Sequence, residues 1–253
     1  MPELEPIRAT PAQPLRRAVM RQTWQDLTFL HWPCSPVLVR PLVPRELHLD
    51  LFGGSAWIGL VPFRIVGLTL PHAPSVPRLS HFPETNVRTY VADGEGRRGV
   101  WFFSLDAARL AAVIGARAFF ALPYYWARMS VERGPATVRY RSERIAGPRA
   151  FGDDRGPPAG AEIEIRPGAA IAAPDELELF LTARFHLYAC RQSQKKIVRA
   201  DVEHPPWPLQ RAEVAVLRET LLRAAGLPEP EGPPLAHFAA QLDVRVAAPV
   251  TER

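Results

Sequence analysis

Proline interrupts this chain from Pro2 to Pro249, 28 times in 253 residues and never gathered into one tail. That is about twice the usual share of roughly 5%. Each proline removes a backbone donor and clashes with the preceding helical turn, so a sequence punctuated this often cannot rest on long helices. Short strands joined by stiff turns satisfy it. With 47% apolar residues, the chain can bury a substantial core, as one large domain or two fused β-rich halves. Residues 1–20 are Pro- and Ala-rich without periodicity, which predicts a loose arm, with order starting near Trp24 and a single domain over 21–248.

Local patterns fill in that outline. "SAWIGLVPFRIVGLTL" at 55–70 is β-branched and aromatic, and its central Pro62 predicts an edge strand or a bulge. "NVRTYVA" and "GVWFFSLDA" flank the glycine-rich "DGEGRRG", the clearest hairpin signal in the chain. "YYWARMSVE" and "ATVRYRSERI" read as a second antiparallel pair, with "AEIEIRPG", "FHLYACR", "IVRADVEH" and "AHFAAQLDVRVAAPV" as further strands. Helices are expected in three places: a short one capped by Asp106, one starting at "APDELELF", and the strongest at "PLQRAEVAVLRETLLRAAGLP". In the last, Val214, Leu217, Leu221 and Ala224 form one stripe, Glu219 and Arg223 stand at i,i+4, and Gly226 marks the end.

Charge and cysteine content narrow the function classes. The net charge of +5 comes almost wholly from arginine, because the only lysines are Lys195 and Lys196. The arginines are interleaved with Asp and Glu and form no run dense enough to follow a phosphate backbone, so nucleic acid is not an expected partner. Cys34 and Cys190 stand far apart outside any CxxC, and the histidines form no ligand pair at metal-binding spacing. No metal and no cofactor is expected. The amino terminus lacks an apolar signal-peptide core and no apolar run is long enough to span a bilayer, so a soluble cytoplasmic protein without a membrane partner is the expectation. A homo-oligomer is left open.

Four separated patches carry a resemblance: "FPETNVRTYV" (82–91), "LPYYWARM" (122–129), "FLTARFHLY" (180–188) and "EHPPWPL" (203–209). In this order and spacing they resemble the YqjF-like family of uncharacterised bacterial proteins over roughly residues 20–247, and that family is distantly similar to acetoacetate decarboxylases. The resemblance implies an α+β fold, mainly antiparallel β, as a closed or nearly closed β-cone or barrel with a few peripheral helices and an interior pocket. In the decarboxylases a lysine of a Gly-Tyr-Pro-Lys-Lys-type stretch forms a Schiff base with a keto acid. Here the matching stretch is "LPYYWA", and a phenol cannot condense with a ketone. Tyr124 and Tyr125 thus stand where paired lysines would be, and the Schiff-base mechanism does not transfer.

The candidate site residues follow from the same patches. Strand alternation sends Tyr124 and Tyr125 to opposite faces, so only one is expected to face the pocket unless a bulge follows Pro123. Trp126 joins them as candidate lining. Glu84 and Arg88, four apart, share a strand face; they fit an acid and an anion clamp, or a structural ion pair. Arg64 is a further candidate anion ligand or a rim-exposed side chain, and Arg184 a bridge to an acid on a neighbouring strand or a pocket cation. His204 is a candidate proton shuttle or a hydrogen-bonded turn residue. Two functions remain open: a pocket protein for a small organic anion or carbonyl compound, with acid/base chemistry by Glu84 or His204 and tyrosine support, and a non-catalytic binding, regulatory or structural module.

Overall fold

A computed structural model describes residues 3–70, 80–145, 158–191 and 196–252. Thirteen strands form one sheet: β1 (Met20–Cys34), β2 (His48–Leu49), β3 (Ala56–Thr69), β4 (Phe82–Ala92), β5 (Arg98–Ala107), β6 (Tyr124–Arg133), β7 (Val138–Arg144), β8 (Gly160–Ala170), β9 (His186–Arg191), β10 (Lys196–Glu203), β11 (Leu209–Glu219), β12 (Leu235–Val246) and β13 (Val250–Thr251). Their order is β13-β10-β9-β5-β6-β7-β8-β11-β12-β1-β3-β4-β2, and added β4–β5 and β10–β12 pairings close it into ring-like circuits. The two strands at the ends of that order have two residues each, so the order ends in short edges.

Pairing is antiparallel except where β5 meets β6 and β9. The parallel β5–β6 step requires a crossover, and the helix Leu110–Phe120 supplies it. Asp106 does not cap that helix. It belongs to β5, buried, where Arg144 Nε donates to it at 2.9 Å, and the N-cap residue, Arg109, has no side-chain cap. The "APDELELF" expectation holds: Asp175 and Glu178 form a reciprocal capping box on the helix Glu176–Thr182, satisfying two backbone donors.

One further expectation is corrected. The stretch read as the strongest helix is strand β11, followed by a single turn at Leu221–Ala224. β11 pairs with β8 through cross-strand ion pairs, Glu213 with Arg166 at 2.6 Å and Arg218 with Glu162 at 3.0 Å. Sheet pairing overrides its helical propensity. The arm before β1 has no strand or helix over 3–19; within it Glu5 N–H donates to the Gly96 carbonyl at 3.0 Å, and Leu15 N–H to the Glu203 carboxylate at 2.8 Å.

The sheet packs a core on each face. Phe29, Trp57, Phe63, Phe82, Tyr90 and Phe102 meet in one, and Trp32, Ile58, Leu60, Val87, Tyr140 and Phe238 in the other. Pro62 lies inside β3 rather than at an edge, in the stretch where β1 slips register around Asp26, whose φ is 49°. The extra residue of that bulge belongs to β1, opposite Pro62, while β3 pairs with β4 without interruption across Pro62.

Candidate functional site

The site grows from the alternation of β4. Val87 and Val91 face the second core, while Phe82, Glu84, Asn86, Arg88 and Tyr90 face the first. Apolar neighbours flank this polar strip on both sides. Phe63, Val61 and Gly59 of β3 stand opposite Glu84, Asn86 and Arg88, and Ala107, Leu105 and Phe102 of β5 stand on the other side. The strip is nearly sealed, with Glu84 4%, Asn86 7% and Arg88 8% exposed.

β6 adds the phenol. Its parallel register sets Tyr124 beside Leu105 and Tyr125 beside Asp106, so the two tyrosines take opposite faces. Tyr124 enters the first core and its hydroxyl donates to Glu84 Oε2 at 2.7 Å. Burial pushes the Glu84 carboxyl up to about 8, against the smaller opposing effect of hydrogen bonds from Tyr124 and Asn86. Burial, then the Glu84 charge, drives the Tyr124 phenol well above its ordinary value. At neutral pH the pair is an uncharged acid and an uncharged phenol. It can donate hydrogen bonds or a proton.

Arg88 stands four residues along the same face, about 13 Å from Glu84 in backbone terms. Its Nη2 donates to the Leu181 carbonyl at 3.1 Å and to the Tyr90 hydroxyl at 3.3 Å, with the Phe29 and Tyr90 rings 5.4 and 5.6 Å from the guanidinium carbon. Among the described residues no carboxylate is one of these partners, and Nε meets no acceptor. The ion pair with Glu84 that the sequence left open is not formed. The Leu181 carbonyl belongs to the end of the helix Glu176–Thr182 and offers a partial negative charge only.

The other candidate residues are placed as follows. Arg184 is buried, donating from Nη1 to Asp50 Oδ2 at 2.6 Å and from Nε to the Phe180 carbonyl at 2.7 Å; it is the bridge to an acid. His204 is buried between the rings of Phe185 and Trp207, with centroids at 4.8 and 5.1 Å, and its Nδ1–H donates to the Pro205 carbonyl at 2.7 Å. Burial lowers its pKa, and the charge on Arg88 lowers it further. It borders Arg88 as a neutral ring tied to the main chain. Arg64 lies apart, donating to the Val131 carbonyl at 2.9 Å and standing 3.8 Å from Asp26. Tyr125 lies under the Arg144 guanidinium at 3.9 Å. Trp126 is half-buried at the border of the first core. Lys196 is exposed at the start of β10; Lys195 lies outside the described residues.

The structure thus gathers Glu84, Tyr124 and Arg88, with Arg184 and His204 at the Arg88 end. It adds Asn86, Tyr90, His31 and Gly59. Period-two spacing from Glu84 points to Asn86 and Tyr90, whereas His31 and Gly59 join only through strand register. A separate surface hollow of about 370 Å3 opens past the far end of β4, lined in part by Asp93, Arg97, Arg199 and Glu252. It lies roughly nine residues, about 30 Å, along the strand from Glu84. Arg97 there pairs with Asp93 at 2.6 Å, Glu95 at 2.8 Å and Glu252 at 2.9 Å. The arginines and acids of the hollow pair with one another, whereas Arg88 Nε in the strip meets no acceptor among the described residues.

Comparison with known proteins agrees with this architecture. The model of the DUF2071 family, described as an uncharacterized conserved protein, matches residues 21–243. The chain is 40% identical over 228 residues to the uncharacterized protein YqjF of Bacillus subtilis (strain 168), covering 89% of each. Among solved structures, the enduracididine biosynthesis enzyme MppR complexed with pyruvate superposes with a TM-score of 0.63 at 11% identity, over 95% of this chain and 93% of that one. Acetoacetate decarboxylase from Legionella pneumophila subsp. pneumophila str. Philadelphia 1 gives 0.62 at 12%, over 100% and 92%. An acetoacetate decarboxylase-like enzyme from Sphingomonas wittichii RW1 gives 0.63 at 12%, over 94% of each. At these identities the structural likeness is one of fold.

Proposed function

The chain belongs to the DUF2071 family of uncharacterized conserved proteins, and from that premise we propose that it binds a small organic anion carrying a carbonyl or related oxygen. The carboxylate of the ligand would lie at Arg88, and a ligand long enough to span the roughly 13 Å of strand would set its second oxygen towards Glu84 and Tyr124. One observation carries this reading: among the described residues Arg88 is a buried guanidinium without a carboxylate partner, on the same strand face as the buried Glu84 carboxyl. A buried cation met by a carbonyl, a hydroxyl and two aromatic rings, with no carboxylate beside it among the described residues, favours an incoming anion. That a protein of the same fold is found complexed with pyruvate supports a small oxo acid as the first ligand to try.

Chemistry by a lysine Schiff base is not part of the proposal, because the "LPYYWA" stretch offers phenols and Lys196 is exposed. Any reaction would use Glu84 as proton donor with Tyr124 beside it. His204 and Arg184, fixed to a carbonyl and to Asp50, support the second reading, a binding module without turnover. The test is a thermal-shift and calorimetric panel of keto, hydroxy and enol acids against the wild type and Arg88→Met. Binding that Arg88→Met abolishes is expected; a panel without any wild-type response contradicts the proposal. Borohydride with a keto acid is expected to leave the protein unlabelled, and covalent capture at Lys195 or Lys196 would refute the lysine argument.

A further inference from the structure

Arg88 is held by a set of groups that neither strand pattern nor charge alone identifies. Across β1, β3 and β4, His31, Gly59 and Arg88 stand in one row of the first-core face. Gly59 is what lets this row close: a Cβ there would meet His31 Cδ2 at 3.1 Å and Arg88 Cγ at 3.4 Å. One position further, Tyr90 collects the hydrogen bonds. Its hydroxyl donates to the Leu181 carbonyl at 2.6 Å and lies 2.6 Å from His31 Nε2.

Because the single phenolic proton is committed to Leu181, the His31 bond must run the other way, from Nε2–H to the Tyr90 oxygen. The same oxygen accepts from Arg88 Nη2. Burial, followed by the charges of Arg88, His237 and Arg184, holds the His31 pKa well below its ordinary value, so the ring is the neutral donor that this arrangement needs. Both N–H groups of Arg88 Nη2 are then used, one on Leu181 and one on Tyr90.

We infer that Tyr90, oriented by His31 and the Leu181 carbonyl, is the positioning residue that fixes the Arg88 guanidinium towards the interior. Its purpose rests on the anion-binding reading above, but the positioning can be measured without a ligand. A guanidinium held at Nη2 rotates slowly about its Nε–Cζ bond, so its Nη signals are separate in nitrogen-detected NMR. A released one averages them.

The experiment compares wild type, Tyr90→Phe, His31→Gln and His31→Leu, with the unfolding midpoint of each measured alongside. Tyr90→Phe keeps both ring contacts and loses the shared oxygen. It is expected to merge the Arg88 Nη signals and weaken pyruvate binding at least tenfold in calorimetry. His31→Gln retains a donor near Tyr90 and is expected to preserve separate signals if it folds like wild type, whereas His31→Leu is expected to broaden them. Separate Nη signals in folded Tyr90→Phe, or unchanged pyruvate affinity in that variant, overturn the positioning role and leave the anion reading standing. Merged signals in Tyr90→Phe with no pyruvate response in wild type uphold the positioning role and count against the anion reading.

Discussion

The two ends of strand β4 carry acids with opposite fates. Just past its end, Asp93 is buried, which by itself would raise its pKa, yet Arg97, Tyr188 and two backbone N–H groups outweigh the burial and hold it below its ordinary value. Near its start, Glu84 has a phenol and an amide and no cation, and burial wins, to about 8. Glu84 lies deeper than Asp93, which lines the surface hollow, so a structural carboxylate at one end and a raised acid at the other reflect both depth and the supply of cationic partners. The difference also sorts the arginines: Arg97 has three acids, whereas Arg88 has none among its hydrogen-bond partners.

The largest effect that would break this contrast lies at Asp93. Asp93→Ala leaves the Tyr188 hydroxyl and Arg97 without their shared acceptor and is expected to cost about 3–5 kcal/mol in denaturant unfolding at pH 7. A loss below 1 kcal/mol would mean that the paired end is not structural. Next in size is Glu84→Gln, which is read through pH. The folded-state pKa of Glu84 lies above its unfolded value of 4.5, so the folded state holds the extra proton. The contribution of Glu84 to stability is then full at pH below about 4.5 and is lost as pH rises towards 8. Between pH 5.5 and 8 wild type should lose roughly 3 kcal/mol relative to Glu84→Gln. Parallel stability curves would remove the neutral acid from the account.

A smaller effect sharpens the comparison within one dipeptide. Tyr124→Phe removes the hydrogen bond to Glu84 and is expected to destabilise by about 1–2 kcal/mol. Tyr125→Phe keeps the ring beneath Arg144 and should stay within about 0.5 kcal/mol of wild type. Equal losses from the two would contradict the assigned faces. The smallest effect is at an exposed pair, Arg128 with Glu143 at 3.0 Å. Arg128→Ala should change stability by no more than about 0.5 kcal/mol, which sets the baseline for the others.

The strip and the tyrosine split were legible because a strand has a period of two: Glu84 and Arg88 share a face, and neighbours such as Tyr124 and Tyr125 cannot. The β11 stretch was misread for an identifiable reason. Its register with β8 slips between Val214 and Val216, so Val214 and Leu217, three apart, both pack on the second core. A bulged strand thereby imitates helical spacing. Asp106 looked like a helix cap because its partner, Arg144, lies 38 residues away and enters only through β7. His31 and Gly59 had no local signal at all. They meet Arg88 through the pairings of three strands, and the charge balance that makes Arg88 notable exists only once those strands have assembled.

The most direct test is a titration of the Glu84 side-chain carboxyl by carbon-13 NMR, assigned by its disappearance in Glu84→Gln. A midpoint near 8 is the expected result. A midpoint near 4.5 would show an ionised carboxylate in the interior and contradict the neutral acid on which the proposed site depends.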